Sequence, residues 1–264
     1  MELSRRTLLI GGLSSTGLLL TGCGTEEGGG KDGYKLVSEG KLTFAMSGQY
    51  RPFNFYESAG KLAGFDVEIG NALAKWLDLT PNPVTGPFDS LVAGLAAKRY
   101  DLIIGSMSAT EARKKAVDFT DNYYESGAQL FVKKGSPIKS AADLKNATVG
   151  VTLGTTFEEL AKKQSGVKDV KTYNSDNQAL VELGNGRVDA VITTKLVGLY
   201  QIKQTKLAVE AVGPVLAPDP AAIASRKDNS DLTKKVNEFL KKIKSDGEYA
   251  KISQKWFGED ISKS

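Results

Sequence analysis

The chain has no histidine among its 264 residues. That absence removes Ser-His-Asp catalysis, Cys-His pairs and imidazole metal sites together. It has one cysteine, so no disulfide can form within it. It also lacks any cluster of basic residues interleaved with aromatics. Its 35 Lys and Arg against 31 Asp and Glu leave a net charge of only +4, spread along the chain. Nucleic acid is therefore not an expected partner. Beyond the N-terminal segment no apolar run is long enough to cross a bilayer. The whole chain, 41% hydrophobic and 25% charged, is ordinary for a globular protein, and the length fits one large domain or two small lobes.

The single cysteine closes the N-terminal segment. Ser4-Arg5-Arg6 precede residues 8–20, which are apolar or small and too short for a confident membrane span. The run ends in Leu20-Thr21-Gly22-Cys23, which resembles a bacterial lipobox. That resemblance implies a signal peptide at 1–22 and a lipidated Cys23 as the first mature residue. The paired arginines also resemble a twin-arginine export signal. Residues 23–35 then form a Gly-rich tether, and about ten such residues span roughly 16–19 Å as a coil. The folded part is expected outside the cytoplasm, near a membrane surface but not in it.

From residue 41 the chain alternates short apolar runs with helical periodicity. Residues 41–46 and 101–105 read as buried strands. Ile69, Leu73, Trp76 and Leu77 fall on one helical face, and Leu91, Leu95 and Ala96 on another. Gly135-Ser136-Pro137 mark a break, after which the pattern restarts with strands near 148–152, 170–173, 189–193 and 209–212. Pro214, Pro218 and Pro220 mark a second break. Residues 221–226 can return as a strand to the first half, followed by an amphipathic helix near 232–243. The alternation predicts an α/β fold with mostly parallel strands. The breaks predict a discontinuous first lobe at 36–132 and 221–264, with a second lobe at 133–220. Lys98 to Ile104 echoes Gly186 to Ile192, so Asp101 and Asp189 are expected to fix the starts of two equivalent strands.

One stretch carries chemistry. Residues 105–113 leave a strand through Ser106 and Ser108 and enter a helix bearing Arg113. Helix starts present unpaired N–H groups, and an arginine fork holds a carboxylate with two parallel hydrogen bonds. The stretch therefore reads as a carboxylate clamp, although a helix capped by Ser108 or Thr110 with Arg113 in solvent would give the same residues.

Tyr50-Arg51-Pro52-Phe53, Gly64-Phe65-Asp66-Val67, Phe88-Asp89-Ser90-Leu91, the clamp, Asp118-Phe119-Thr120, Gly154-Thr155-Thr156, Gly186-Arg187-Val188-Asp189-Ala190 and Lys255-Trp256-Phe257-Gly258 occur in one order over most of the chain. Together they resemble the polar-amino-acid class of extracellular solute-binding proteins, the receptors of ABC importers. The resemblance implies two α/β lobes of the periplasmic-binding-protein fold, joined by two hinge crossovers, each lobe a mostly parallel sheet flanked by helices. It implies that Tyr50 and Phe88 sandwich the ligand and that Gly105 and Ser106 meet its amine. Ser108, Arg113, Thr155 and Thr156 would hold its carboxylate. Thr194 stands where the family usually has an ammonium-binding Asp. On that ground the expected ligand is an amino acid or related small carboxylate, neutral or acidic rather than basic, unless Asp176, Asp219 or Glu57 supplies the missing charge. The implied partners are the ligand, the importer's membrane subunits and, through the lipid, the membrane. No metal, cofactor or catalysis is implied, and a monomer is expected. A dehydratase-like enzyme on the same scaffold and a sensing domain docking on a membrane receptor are the alternatives.

Overall fold

The computed structural model describes residues 28–29 and 33–263. The signal segment, the lipobox and Cys23 lie outside the described residues. In chain order the strands of the two large sheets are β1 (Lys41–Met46), β2 (Thr80–Thr85), β3 (Leu102–Met107), β4 (Val117–Tyr124), β5 (Gly127–Lys133), β6 (Thr148–Thr152), β7 (Asp169–Tyr173), β8 (Ala190–Thr194), β9 (Val209–Pro218) and β10 (Ala221–Arg226). The helices are α1 (Phe65–Trp76), α2 (Leu91–Ala96), α3 (Glu111–Lys114), α4 (Thr156–Lys162), α5 (Asp176–Gly184), α6 (Lys195–Thr205), α7 (Ser230–Ser245) and α8 (Glu248–Phe257).

Two lobes result. The first sheet has the order β2-β1-β3-β10-β4, and the second β7-β6-β8-β5-β9. In each, three neighbouring strands are parallel. In the first, β10 runs antiparallel to β3 and β4; in the second, β5 runs antiparallel to β8 and β9. Both faces of each sheet are covered, and side-chain alternation shows it. Leu42, Phe44 and Met46 of β1 enter one apolar cluster with Leu102 and Ile104 of β3, while Ala45 and Ile103 enter another on the opposite face. In the second lobe Leu130, Val149 and Ile192 face one way, Phe131 and Val191 the other. Near-continuous apolar runs are what a doubly covered sheet requires. The amphipathic α7 buries Leu232, Val236, Phe239, Leu240 and Ile243, and Phe239 meets the Trp76 ring of α1 at 5.8 Å.

The echo between the halves is the same device used twice. Asp101 donates its N–H to the Thr43 carbonyl (2.8 Å), and its carboxylate accepts from the Thr43 N–H (2.8 Å). Asp189 does the same with Thr148, at 2.9 and 2.7 Å. Each acid ties the start of one parallel strand to its neighbour.

Two elements differ from the sequence reading. Residues 127–132, counted there with the first lobe, hydrogen-bond between β8 and β9 in the second sheet, so the chain crosses before residue 127. The strand β2 was not anticipated, because Pro81 and Pro83 argue against a strand. It lies at the sheet edge, where Thr80 donates to the Gly40 carbonyl just before β1 and Gly86 to the Met46 carbonyl at its end, and the two prolines, of opposite parity, turn their missing N–H outward.

Candidate functional site

Between the lobes lies a cavity lined from both sides. It opens at the carboxyl ends of the parallel strands, the usual place for a ligand in open α/β sheets. Ser47, Gln49 and Tyr50 follow β1, Phe88 follows β2, and Gly105, Ser106 and Ser108 end or follow β3. From the second lobe come Thr152, Thr155, Thr156 and Phe157 around the start of α4, and Asn174, Ser175 and Asp176 after β7. Of the residues the sequence pointed to, Tyr50, Phe88, Gly105, Ser106, Ser108, Arg113, Thr155 and Thr156 all line this space.

Arg113 bridges the lobes. One guanidinium nitrogen donates to the Ser108 carbonyl (2.8 Å), and another to the Gly154 carbonyl across the cleft (3.0 Å). The guanidinium carbon also stands 5.4 Å from the centre of the Phe88 ring. Two of its five N–H groups are thus used on carbonyls. Gly154 adopts φ +74, and a Cβ there would lie 2.8 Å from Asp89 Cβ of the other lobe. The lobes are therefore in close contact at this edge.

The two helices that start at this edge of the cavity are short. The helix α3 is a single turn, capped by Thr110, whose hydroxyl accepts from the Arg113 N–H (3.3 Å). The helix α4 spans seven residues. Helices this short carry little aligned dipole, so little helix-end contribution to anion binding is expected from them.

The hydroxyls themselves face an internal acid. Ser108 donates to Asp219 Oδ1 at 2.7 Å, and Thr156 donates to the same oxygen at 3.3 Å. Asp219 stands between Pro218 and Pro220 where the chain returns to the first lobe. Its N–H bonds the Ser126 carbonyl (2.9 Å), so the two crossovers lie side by side. Burial pushes its carboxyl above the usual range, against the pull of the two hydroxyls. Asp176, at the start of α5, accepts from Thr193 at 2.5 Å and is likewise raised by burial. Burial lowers Arg113, and the nearby Asp219 charge partly restores it.

Thr194 is not part of the wall. It is fully buried at the end of β8 and shares a 2.7 Å hydrogen bond with the Ser126 hydroxyl. Asp219 and Asp176, named in the sequence only as substitutes, line the space. Phe157 and Asn174 were missed: one looks like an ordinary helix-core position and the other like a loop residue. Among the described residues no three His, Cys, Asp or Glu side chains are gathered as for a metal ion.

Residues 42–259 match the family model described as bacterial extracellular solute-binding proteins, family 3. The L-cystine-binding protein TcyJ of Escherichia coli (strain K12) is 37% identical over 231 residues, covering 87% of each chain. The arginine-binding extracellular protein ArtP of Bacillus subtilis (strain 168) is 38% identical over 242 residues, covering 90% of this chain and 92% of the relative. A solved ancestral arginine-binding protein bound to glutamine superposes with a TM-score of 0.79 at 42% identity, over 84% of this chain and all of the other. These relatives are binding proteins, not enzymes. The chain belongs to the bacterial extracellular solute-binding proteins of family 3.

Proposed function

We propose that the protein captures an α-amino acid between its lobes for an ABC importer, and that a ligand with a second cationic group is favoured over an acidic one. The observation that carries this is the charge of the cavity wall: two carboxylates, Asp176 and Asp219, and one guanidinium, Arg113. With both acids ionised the wall is one unit negative, and a ligand of charge +1 neutralises it. Burial raises both acids, and among the described residues neither carboxylate is hydrogen-bonded to a cation, a partner that an ammonium would supply.

The spacing also suits an α-amino acid. Arg113 and Asp219 meet at Ser108: the guanidinium takes its carbonyl, and its hydroxyl takes Asp219. A ligand whose carboxylate and ammonium share one carbon can place the first at Arg113 and the second at Asp219. The sequence argument for a neutral or acidic ligand rested on Thr194 leaving no counter-charge, and these two acids remove that ground. The relatives named for arginine support the same direction.

Two further parts belong to this reading. The crossovers near 125–126 and 219–220 act as hinges, and lipid on Cys23 holds the protein at the membrane through its Gly-rich tether. A thermal-shift panel tests the ligand class, since a ligand that binds only the folded state raises the melting temperature. Arginine, lysine or cystine should raise it and glutamate should not. A shift with glutamate alone would reverse the charge argument, and no shift with any amino acid would refute the function.

A further inference from the structure

One buried acid near the cavity is used by none of the contacts described so far. Asp66, the second residue of α1, is fully buried in the first lobe. Three donors converge on its carboxylate: Tyr123 hydroxyl on Oδ1 (2.7 Å), and Asn54 Nδ2 (2.7 Å) and Ser106 hydroxyl (2.9 Å) on Oδ2. Each arm leads back to the cavity. Ser106 lines it, and its N–H also donates to the Tyr123 oxygen (2.9 Å). Asn54 accepts from the Ser47 hydroxyl (2.9 Å) and the Gly48 N–H (2.8 Å), and Ser47 also lines the cavity. Ser106 is held at φ +55, a conformation that costs a non-glycine residue energy and persists only when its surroundings fix it.

We propose that Asp66 is a positioning residue for the ligand site, committing the Ser106 hydroxyl proton to itself so that the Ser106 lone pairs face the cavity and accept an N–H of the bound ligand. The inference rests on the amino-acid reading above. A serine hydroxyl has one proton and two lone pairs. While Asp66 is ionised and accepting, Ser106 can offer only acceptors to the cavity. A protonated Asp66 has a donor of its own. Turned to the Ser106 oxygen, that donor frees the serine proton toward the cavity, where it opposes an ammonium.

The groups around Asp66 leave it free to switch. Tyr123 and Tyr124 on β4, Tyr50 in the cavity wall and Tyr249 on α8 feel its charge, and burial keeps these phenols protonated. Across the cavity stand Asp219 and Asp176. Among the described residues no Lys or Arg bonds to Asp66. Burial raises its carboxyl to about 7, with Tyr123, Asn54 and Ser106 pulling the other way.

The test is calorimetric titration with arginine between about pH 6 and about pH 8. The wild-type affinity should fall about tenfold from the upper to the lower end, the limit for one proton displaced across a midpoint near 7. Asp66→Asn should bind with no such slope. That comparison separates its titration from those of Asp176 and Asp219, whose carboxyls are also raised. Tyr123→Phe removes one of the bonds that hold the value down, so it should move the midpoint to higher pH, which a purely structural role would not do. It also provides a test if Asp66→Asn does not fold. A flat wild-type profile, or the wild-type slope persisting in Asp66→Asn or at an unmoved midpoint in Tyr123→Phe, overturns the inference and leaves the functional reading standing. Failure of the wild type to bind any amino acid in the thermal-shift panel sinks that reading, and this inference with it.

Discussion

Truncating Arg113 separates the clamp from the rest of the cavity. In Arg113→Ala the ligand carboxylate enters a desolvated site without its charged partner. Removing one member of a buried, hydrogen-bonded charge pair costs about 2–5 kcal/mol, a factor of roughly 30 to several thousand in affinity. The same change deletes the bonds to the Ser108 and Gly154 carbonyls, the second of which crosses the cleft, so closure is weakened as well. Arg113→Lys should fall between, because a single ammonium keeps the charge but cannot reproduce the planar fork. Calorimetry with arginine and with its decarboxylated amine distinguishes the two effects. Loss of the carboxylate contact weakens arginine far more than the amine, whereas loss of closure weakens both alike. Arginine affinity unchanged in Arg113→Ala would refute the clamp.

Other outcomes follow from single contacts. Asp219→Asn keeps the acceptor for Ser108 and Thr156 but removes the charge, so arginine should weaken at least tenfold by calorimetry while the fold survives, about 1.4 kcal/mol or more. Gly154→Ala places a Cβ 2.8 Å from Asp89 Cβ of the other lobe, a clash that falls on the closed state, while its positive φ costs about 1–2 kcal/mol in either state. Its ligand-bound form should scatter X-rays as a more extended particle than the wild type. Asp66 holds its proton to about pH 7 in the fold against about 3.9 unfolded, so the folded state binds more protons in that interval. Stability should therefore fall as pH rises through it, by up to about 4 kcal/mol, and melts of Asp66→Asn should lack that slope. Cys23→Ser should abolish lipid attachment, read by mass spectrometry of the membrane fraction.

Much of the fold could be read because the sheets are covered on both faces. A strand buried on both sides is an apolar run, and residues 41–46, 148–152 and 221–226 show it plainly. The edge strand β2 has no such signature, since its prolines face outward. The lobe of β5 was misread because strand partners are a matter of distant pairing, and its apolar run suits either sheet. That Ser106, Ser108 and Arg113 lie together was legible because they fall within nine positions of one another. The place of Asp219 beside them was not. Asp219 lies 106 residues beyond Arg113, in a proline-bounded segment whose only local signal is a chain break, and the fold alone brings it to Ser108. Thr194 misled in the opposite sense: its place in the sequence matches a ligand contact, but its hydroxyl is bonded to Ser126.

A crystal structure grown with arginine tests the central claim most directly. The account predicts the ligand between the lobes against Tyr50 and Phe88, its carboxylate on the Arg113 guanidinium and its α-ammonium on Asp219. A ligand lying in the cavity with its carboxylate turned away from Arg113, or an empty cavity at saturating arginine, would contradict it.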